Sequence, residues 1–583
     1  MSFALVRALS LCAGLVAVGP AAAQGAPPGT PGASQALLSD TGRLLPAKAR
    51  NGMVSSQEAR ATRIGVDVLR QGGNAVDAAV AVGFALAVTL PRAGNIGGGG
   101  FMLVHRAADR ATVAIDYRET APAAATATMF LDDKGQPVAQ KSRDSGLAVG
   151  VPGTVRGLAH AHARYGSGRF SLGQLLAPAI ALARDGIPVA DDLADSLPAA
   201  GRLAKHAASR AIFFRDGRPL GPGDTLVQTD LATTLTAIAQ NGPDAFYTGP
   251  VAERLVAAVR TIGGVMTLQD LAGYRVQERA PVRGSYRGHE IVSMPPPSSG
   301  GVHLVQILNI LEGFDLKAAG AGAADTLHVL AEAMKPAYAD RASFLGDPDR
   351  VKVPVKGLTG KPYAVIQRGG IDPMRARPAA EIKAGDPLPY ESDQTTHYSI
   401  VDRDGNAVSN TYTLNFSYGV GLVAEGTGVL LNNEMDDFSA KPGAQNAYGL
   451  VGSEANSVAP GARPLSSMTP TFVFRDGRLL LVTGSPGGSR IITTTLQIIS
   501  NVIDHGMNLA EAVAAPRIHH QWQPDFLLTE TGLSPDTLRL LEARGHKVRV
   551  GSTSGSASSV LVVPHGLEGA ADPRQRGTLA EGF

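Results

Sequence analysis

Apolar and polar positions along the chain follow two periods, and the switches between them mark its elements. Ser55-Ser56-Gln57-Glu58 reads as a capping box that starts a helix ending at Gly72-Gly73. Asn74 then caps a second helix over residues 75–90, apolar nearly all round yet carrying Asp77. At about 16 residues it is a buried core helix rather than a membrane span. Residues 95–100 (N-I-G-G-G-G) lead into an apolar strand at 101–105, and strands and helices alternate to about 350. The Pro/Gly-rich stretch 291–301 turns from a strand into a helix at 302–312, and 357–392 reads as loop. After Gln394 the period becomes two. Residues 395–402 alternate as a strand, Arg403-Asp404-Gly405-Asn406 turns the chain, and 407–415 return. A second hairpin, 470–474 with 479–483, folds about Asp476-Gly477, and helices follow at 491–505 and 509–514. No fixed-period repeat occurs. These elements predict a mixed α/β protein with antiparallel hairpins in its second part.

Composition narrows the function classes. The 583 residues carry 53 Lys+Arg against 51 Asp+Glu, a net charge of +2, which gives no basic field for nucleic acid. With 44% hydrophobic and 18% charged residues the chain folds, and at roughly 150 residues per domain its length suggests two to four domains. One cysteine excludes a disulfide scaffold and Cys-based metal sites. Residues 1–23 read as a secretory signal, with Arg7 in the n-region, an apolar h-region at 8–18 and cleavage after Ala23. That h-region is too short to span a membrane. Cys12 lies inside it after Leu11, not the small residue a lipidation signal requires, so the mature chain starts near Gln24 without cysteine. It is expected in the periplasm or secreted, behind a flexible leader at 24–50.

Common catalytic motifs are missing: there is no P-loop, no H-E-x-x-H and no G-x-S-x-G. Gly97–Gly100 precede a strand, outside the dinucleotide-binding context, and the adjacent His519-His520 read as structural rather than as a metal pair. The first hairpin is the better lead. Folding it about Asp404-Gly405 sets Thr395 beside Thr413 or within two residues of it, near Asn415. By pattern alone this remains a Thr-rich strand face.

The segments Q-T-T-H-Y-S (394–399) and T-Y-T-L-N (411–415) resemble the start of the small subunit of γ-glutamyltransferases, self-processing members of the N-terminal-nucleophile hydrolase superfamily. The resemblance continues through N-I-G-G-G-G, Asp116-Tyr117-Arg118-Glu119, P-P-P-S-S-G-G, L-N-N-E-M-D-D-F (431–438), R-P-L-S-S-M (463–468) and T-G-S-P-G-G-S-R (483–490). It covers nearly everything from Met53 onward.

This resemblance implies an α+β fold, a four-layer αββα sandwich built jointly by two chains after self-cleavage between Gln394 and Thr395. Residues 51–394 become the large subunit and 395–583 the small one, paired as a heterodimer. Thr395 becomes the nucleophile and its freed α-amine the base, since a hydroxyl alone is weak. Thr413 supports it, and the N–H groups of Gly487 and Gly488 receive the oxyanion. Arg118, with Ser466 and Ser467, is expected to clasp an α-carboxylate in a bidentate fork, and Asn415, Glu434 and Asp437 to accept from an α-ammonium. Residues 442–452 resemble a lid loop with Tyr448 as latch.

The implied substrates are glutathione and other γ-glutamyl compounds, with water or an amino-acid or peptide amine as acceptor. No metal or organic cofactor is implied. A cephalosporin or glutaryl acylase of the same superfamily is the enzymatic alternative, which Asp437 disfavours because glutaryl groups lack the ammonium. An exported peptide-binding protein without catalysis is the alternative of another class.

Overall fold

A computed structural model describes residues 44–385, 396–441, 454–551 and 555–583. Two seven-stranded sheets lie at its centre. The first runs, in spatial order, Ala47–Ala49, Gly566–Ala571, Ser558–Val563, Arg478–Thr483, Thr471–Arg475, His289–Ser293 and Val282–Tyr286. The second runs Leu579–Gly582, Met53–Ser56, Thr396–Val401, Ala407–Thr413, Gly99–Arg106, Ala111–Tyr117 and Gln277–Arg279. Strands from before and after the 394/395 junction interleave in both, so neither part forms either central sheet by itself.

Three hydrophobic clusters show the layering. Helices Ala59–Arg70, Ala75–Thr89, Thr154–Tyr165 and Leu172–Asp185 pack on the second sheet through Val54, Met102, Ile115, Ile400 and Val408. Helices Gly300–Leu311, Ala324–Phe344 and Arg490–Ile503 cover the first sheet over Ile291, Val473 and Leu481. Between the sheets, Met53, Phe101 and Leu103 meet Val292, Phe472 and Val482. This is the expected αββα sandwich. The alternation in Thr396–Val401 is its direct expression. Tyr398 and Ile400 face the helices, whereas Ser399 Oγ crosses to the other sheet and donates to Ser558 O at 2.9 Å.

The helix read as apolar nearly all round, Ala75–Thr89, is buried along its whole length and capped by Asn74 as expected, with Asp77 completing a capping box. Tyr398 and Tyr412 anchor it, donating from their hydroxyls to Ala79 O and Gly83 O at 2.9 Å each. Three local readings need correction. The leader read as flexible over 24–50 ends in the first sheet, where Ala47–Ala49 pairs with Leu567–Gly569. Ser55 and Ser56 do not cap the first helix: they end the strand Met53–Ser56, and Glu58 is the N-cap, accepting from Ala61 N at 3.0 Å. A carboxylate two residues further on competes successfully for the same role. The stretch read as loop also contains a helix, Lys361–Gly369, opened by Pro362 and held by buried Ala364. Its exposed Val365 and Ile366 obscure the amphipathic pattern.

Candidate active site

The hairpin meets its neighbours in a register that runs to its end: Thr396 pairs with Tyr412, and Thr413 with Gly99. Gln394, Thr395 and Tyr448 lie outside the described residues. The ladder beside that junction is wholly buried. Thr396 Oγ1 donates to Gln57 Oε1, and His397 sits between Thr411 Oγ1 at 2.8 Å and Ser399 Oγ at 3.1 Å. Burial pushes the His397 imidazole down to about 3, so it is neutral and serves as a structural bridge. Glycine at 484 makes room for it, because a Cβ there would lie 2.4 Å from His397 Cε1.

Thr413 Oγ1 accepts from Asn415 N at 2.8 Å, and Asn415 Nδ2 donates to Asn433 O at 2.9 Å. Asn415 takes a left-handed backbone, φ 71°, which asparagine tolerates. Its side chain thereby ties the end of the hairpin to the turn Glu434–Asp437.

Arg118 follows the strand Ala111–Tyr117 and is fully buried. Its Nη1 donates to Glu434 Oε1 and its Nη2 to Asp437 Oδ2, while Nε and Nη2 also reach Pro464 O at 3.1 Å and Leu465 O at 3.0 Å. A guanidinium has five N–H donors. Four are thus engaged, and a bidentate clasp on an incoming carboxylate requires at least one of these acceptors to let go. The expected fork is therefore preceded by an exchange of partners.

A third carboxylate, Glu119, lies 3.9 Å from Arg118 Nη1, and its carboxyl meets that of Glu434, with which it can share a proton. Burial raises the Glu119 carboxyl to about 7, against the opposing charge of Arg118. Glu434 and Asp437 are also pushed well above the carboxylate range by burial, with Arg118 again opposing. Burial works against the Arg118 charge too, but the three carboxylates outweigh it and raise its pKa. Three acidic side chains thus enclose one guanidinium, and carboxyl oxygens of all three remain without a hydrogen bond to it.

Ser466 and Ser467 directly follow the two carbonyls that hold Arg118. Ser466 Oγ accepts from Met468 N at 3.2 Å, and Ser467 Oγ accepts from Arg341 Nη2 at 3.2 Å. Arg341 also donates from Nε to Ser299 Oγ at 3.1 Å and stacks over Tyr338, 5.6 Å from the ring centre. Tyr338 in turn donates its hydroxyl to Ser489 O, beside Gly487 and Gly488. Both glycines have positive φ, 129° and 62°, and their N–H groups donate to no acceptor among the described residues. One helix, Ala324–Phe344, thus connects the serine pair to the glycine turn.

Outside this cleft, His519 and His520 are buried structural residues, as expected: His519 Nδ1 meets Thr493 Oγ1 at 2.9 Å, and His520 lies 3.6 Å from Asp525. Asp436 is no part of the cluster around Arg118, since it accepts from Ser142 Oγ and lies 3.5 Å from Arg143 Nε. His328, Glu332 and His546 bring three potential metal-binding atoms within 4.8 Å of one another. Lys335 Nζ, 2.6 Å from Glu332 Oε1, already supplies a counter-charge there.

Sequence reasoning missed Glu119 and Arg341. Glu119 stood in a quoted motif, and its place next to Arg118 was the available signal. Arg341 had none, because nothing local shows that a charged residue deep in a helix will reach a serine 126 positions away.

Residues 61–582 match the family described as Gamma-glutamyltranspeptidase. The glutathione hydrolase proenzyme of Escherichia coli K12 is 57% identical over 92% of this chain and 93% of its own length. The crystal structure of a cephalosporin acylase from Bacillus halodurans superposes with a TM-score of 0.82 at 28% identity, over 93% of this chain and 97% of that one. The γ-glutamyltranspeptidase of Helicobacter pylori is 48% identical with a TM-score of 0.55, over 57% of this chain and 94% of that one. The chain belongs to the γ-glutamyltranspeptidase family.

Proposed function

We propose that the chain is the proenzyme of a glutathione hydrolase and γ-glutamyltransferase that cuts itself between Gln394 and Thr395. The observation that carries this reading is the buried cluster of Arg118 with Glu119, Glu434 and Asp437 beside two serine hydroxyls. It offers a guanidinium and hydroxyls for the carboxylate of a γ-glutamyl head and acidic acceptors for its ammonium, acceptors that a glutaryl group would leave unused.

The pairing of Thr396 with Tyr412, next to Thr413, supports the reading that the nucleophile acts beside Thr413. After cleavage the Thr395 amine, with an intrinsic pKa of about 7.7–8.0, takes the proton of its own hydroxyl as the oxygen attacks the γ-carbonyl. Thr413 supports that hydroxyl. The oxyanion is received by the N–H groups of Gly487 and Gly488, whose loop needs glycine at positive φ. Collapse expels the amine of the leaving group, cysteinylglycine in the case of glutathione, which takes the proton. Water or an amino-acid or peptide amine then attacks the ester and frees Thr395. Ser466 and Ser467 donate to the α-carboxylate together with Arg118. Glu434 and Asp437 turn to the α-ammonium with Asn415, and Tyr448 closes the lid.

Residues 51–394 and 395–583 act as the large and small subunits of one heterodimer. Export through the 1–23 signal, which like the leader and Cys12 lies outside the described residues apart from the last part of the leader, places the enzyme in the periplasm or medium. Among the described residues no helix is long and apolar enough to cross a membrane. The test of substrate class is kcat/KM for a γ-glutamyl anilide against a glutaryl anilide. A clear preference for the γ-glutamyl donor is expected, and parity or reversal assigns the chain to the acylases.

A further inference from the structure

At the end of the sandwich away from Thr396, the hairpin turns after Arg106, Val401, Arg475 and Val563 converge around a cavity of about 360 Å³. Val401 lies five residues from Thr396 along one strand, about 17 Å at 3.4 Å per residue, so this cavity is separate from the cleft. Its floor is the open edge of the inter-sheet core, with Val401, Leu479 and Leu567. Its rim carries Arg50, Arg110, Arg403 and Arg478, all exposed. Among the described residues none of these four guanidiniums makes a hydrogen bond or ion pair.

The turns are fixed relative to one another. Ala107 N donates to Asn406 Oδ1 at 3.0 Å, joining two of them, and Arg110 Nη1 lies 3.9 Å from where a Cβ on Gly477 would stand, bridging to the other sheet. The one carboxylate lining the cavity, Asp402, is already committed. It accepts from the backbone of Ala75, Asp404 and Asn406 and from Asn406 Nδ2, at 2.9–3.0 Å. Asp404 and Asp476 sit on the same turns but do not line the cavity. Arginine stems can cover an apolar edge while their heads stay in water. Four uncommitted guanidiniums around one concave apolar floor go further. They provide planar donors for an anionic head group and a dry surface for whatever it is attached to.

We infer that this cavity binds a small organic anion, a carboxylate or phosphate carried on an apolar body. The volume lies in the range of small-molecule sites, toward its lower end. Binding there should leave turnover unchanged, because no residue of the cleft takes part.

Isothermal titration calorimetry on the purified mature protein tests this with octanoate and phenyl phosphate, and with inorganic phosphate and benzyl alcohol as arms for charge alone and apolar surface alone. Saturable one-to-one binding of at least one organic anion is expected. It should weaken about tenfold or more in the double variant Arg403→Ala/Arg478→Ala, whose kcat/KM for a γ-glutamyl anilide stays within about twofold. If that variant melts early, Arg50→Ala/Arg110→Ala replaces it with the same expectation. The inference is overturned if neither organic anion binds saturably, if the variants bind as tightly as the parent, or if inorganic phosphate or benzyl alcohol binds equally well. Preference between octanoate and phenyl phosphate separates a carboxylate ligand from a phosphate one.

Discussion

Arg341 Nη2 donates to Ser467 Oγ at 3.2 Å, so the serine oxygen is occupied as an acceptor and its own proton is left to donate. Ser466 is held the same way by Met468 N. The protein thus sets both hydroxyls as donors toward an anion before any substrate arrives. Arg341→Gln is expected to raise KM for a γ-glutamyl anilide up to about tenfold, the worth of one misaligned hydrogen bond, with kcat little changed. A donor lacking the α-carboxylate, 4-aminobutyryl anilide, should show no such increase. An equal loss with both donors would reduce Arg341 to a packing residue.

Glu434 and Asp437 both pair with Arg118, so under the proposed mode of binding each changes partner when an ammonium enters. Asp437→Asn should lower kcat/KM for the γ-glutamyl donor by about 10- to 150-fold, corresponding to a charged hydrogen bond of about 1.5–3 kcal/mol. The rate with a glutaryl anilide should fall much less. A ratio of the two rates that does not narrow would place the ammonium elsewhere.

Glu119 offers a pH signature. Its carboxyl is raised by burial from the ordinary 4.5 to about 7, so the folded protein favours the neutral form. The stabilisation this represents is complete below about pH 4.5 and is lost as pH rises through 7. Glu119→Gln stays neutral throughout. Melting curves between pH 4.5 and 8 should therefore show the variant gaining on the parent as pH rises, and a constant offset would contradict the assignment.

Gly484→Ala forces a Cβ to 2.4 Å from the ring of His397, two residues from the cleavage bond. His397 is fully buried, so either the strand or the glycine loop has to shift. Overpacking of this kind costs about 1–3 kcal/mol, and a lower melting temperature together with slower self-cleavage is expected. Normal cleavage at a normal melting temperature would show that the ladder is free to adjust.

Much of this site could be read from the chain before folding. Period-two alternation and the Asp404-Gly405 turn make the hairpin legible, and its register carries Thr413 one residue past the Thr396–Tyr412 pair. The helix after Asn74 was legible because an unbroken apolar run has only one place to go. The relations that escaped are those made across the fold. That Arg118 is already paired with Glu434 and Asp437, 316 and 319 residues away, follows from how the fold packs and from no local pattern. The misread cap at Ser55 failed for the opposite reason, since several side chains nearby could serve and strand pairing chose between them.

The central claim is that a peptide bond becomes an N-terminal nucleophile at residue 395, and N-terminal sequencing of the purified protein after denaturing electrophoresis tests it most directly. Two fragments are predicted, the smaller beginning Thr395-Thr396-His397, with Thr395→Ala remaining one uncut and inactive chain. A folded, active protein that stays a single chain, or a small fragment beginning at another residue, would contradict the account.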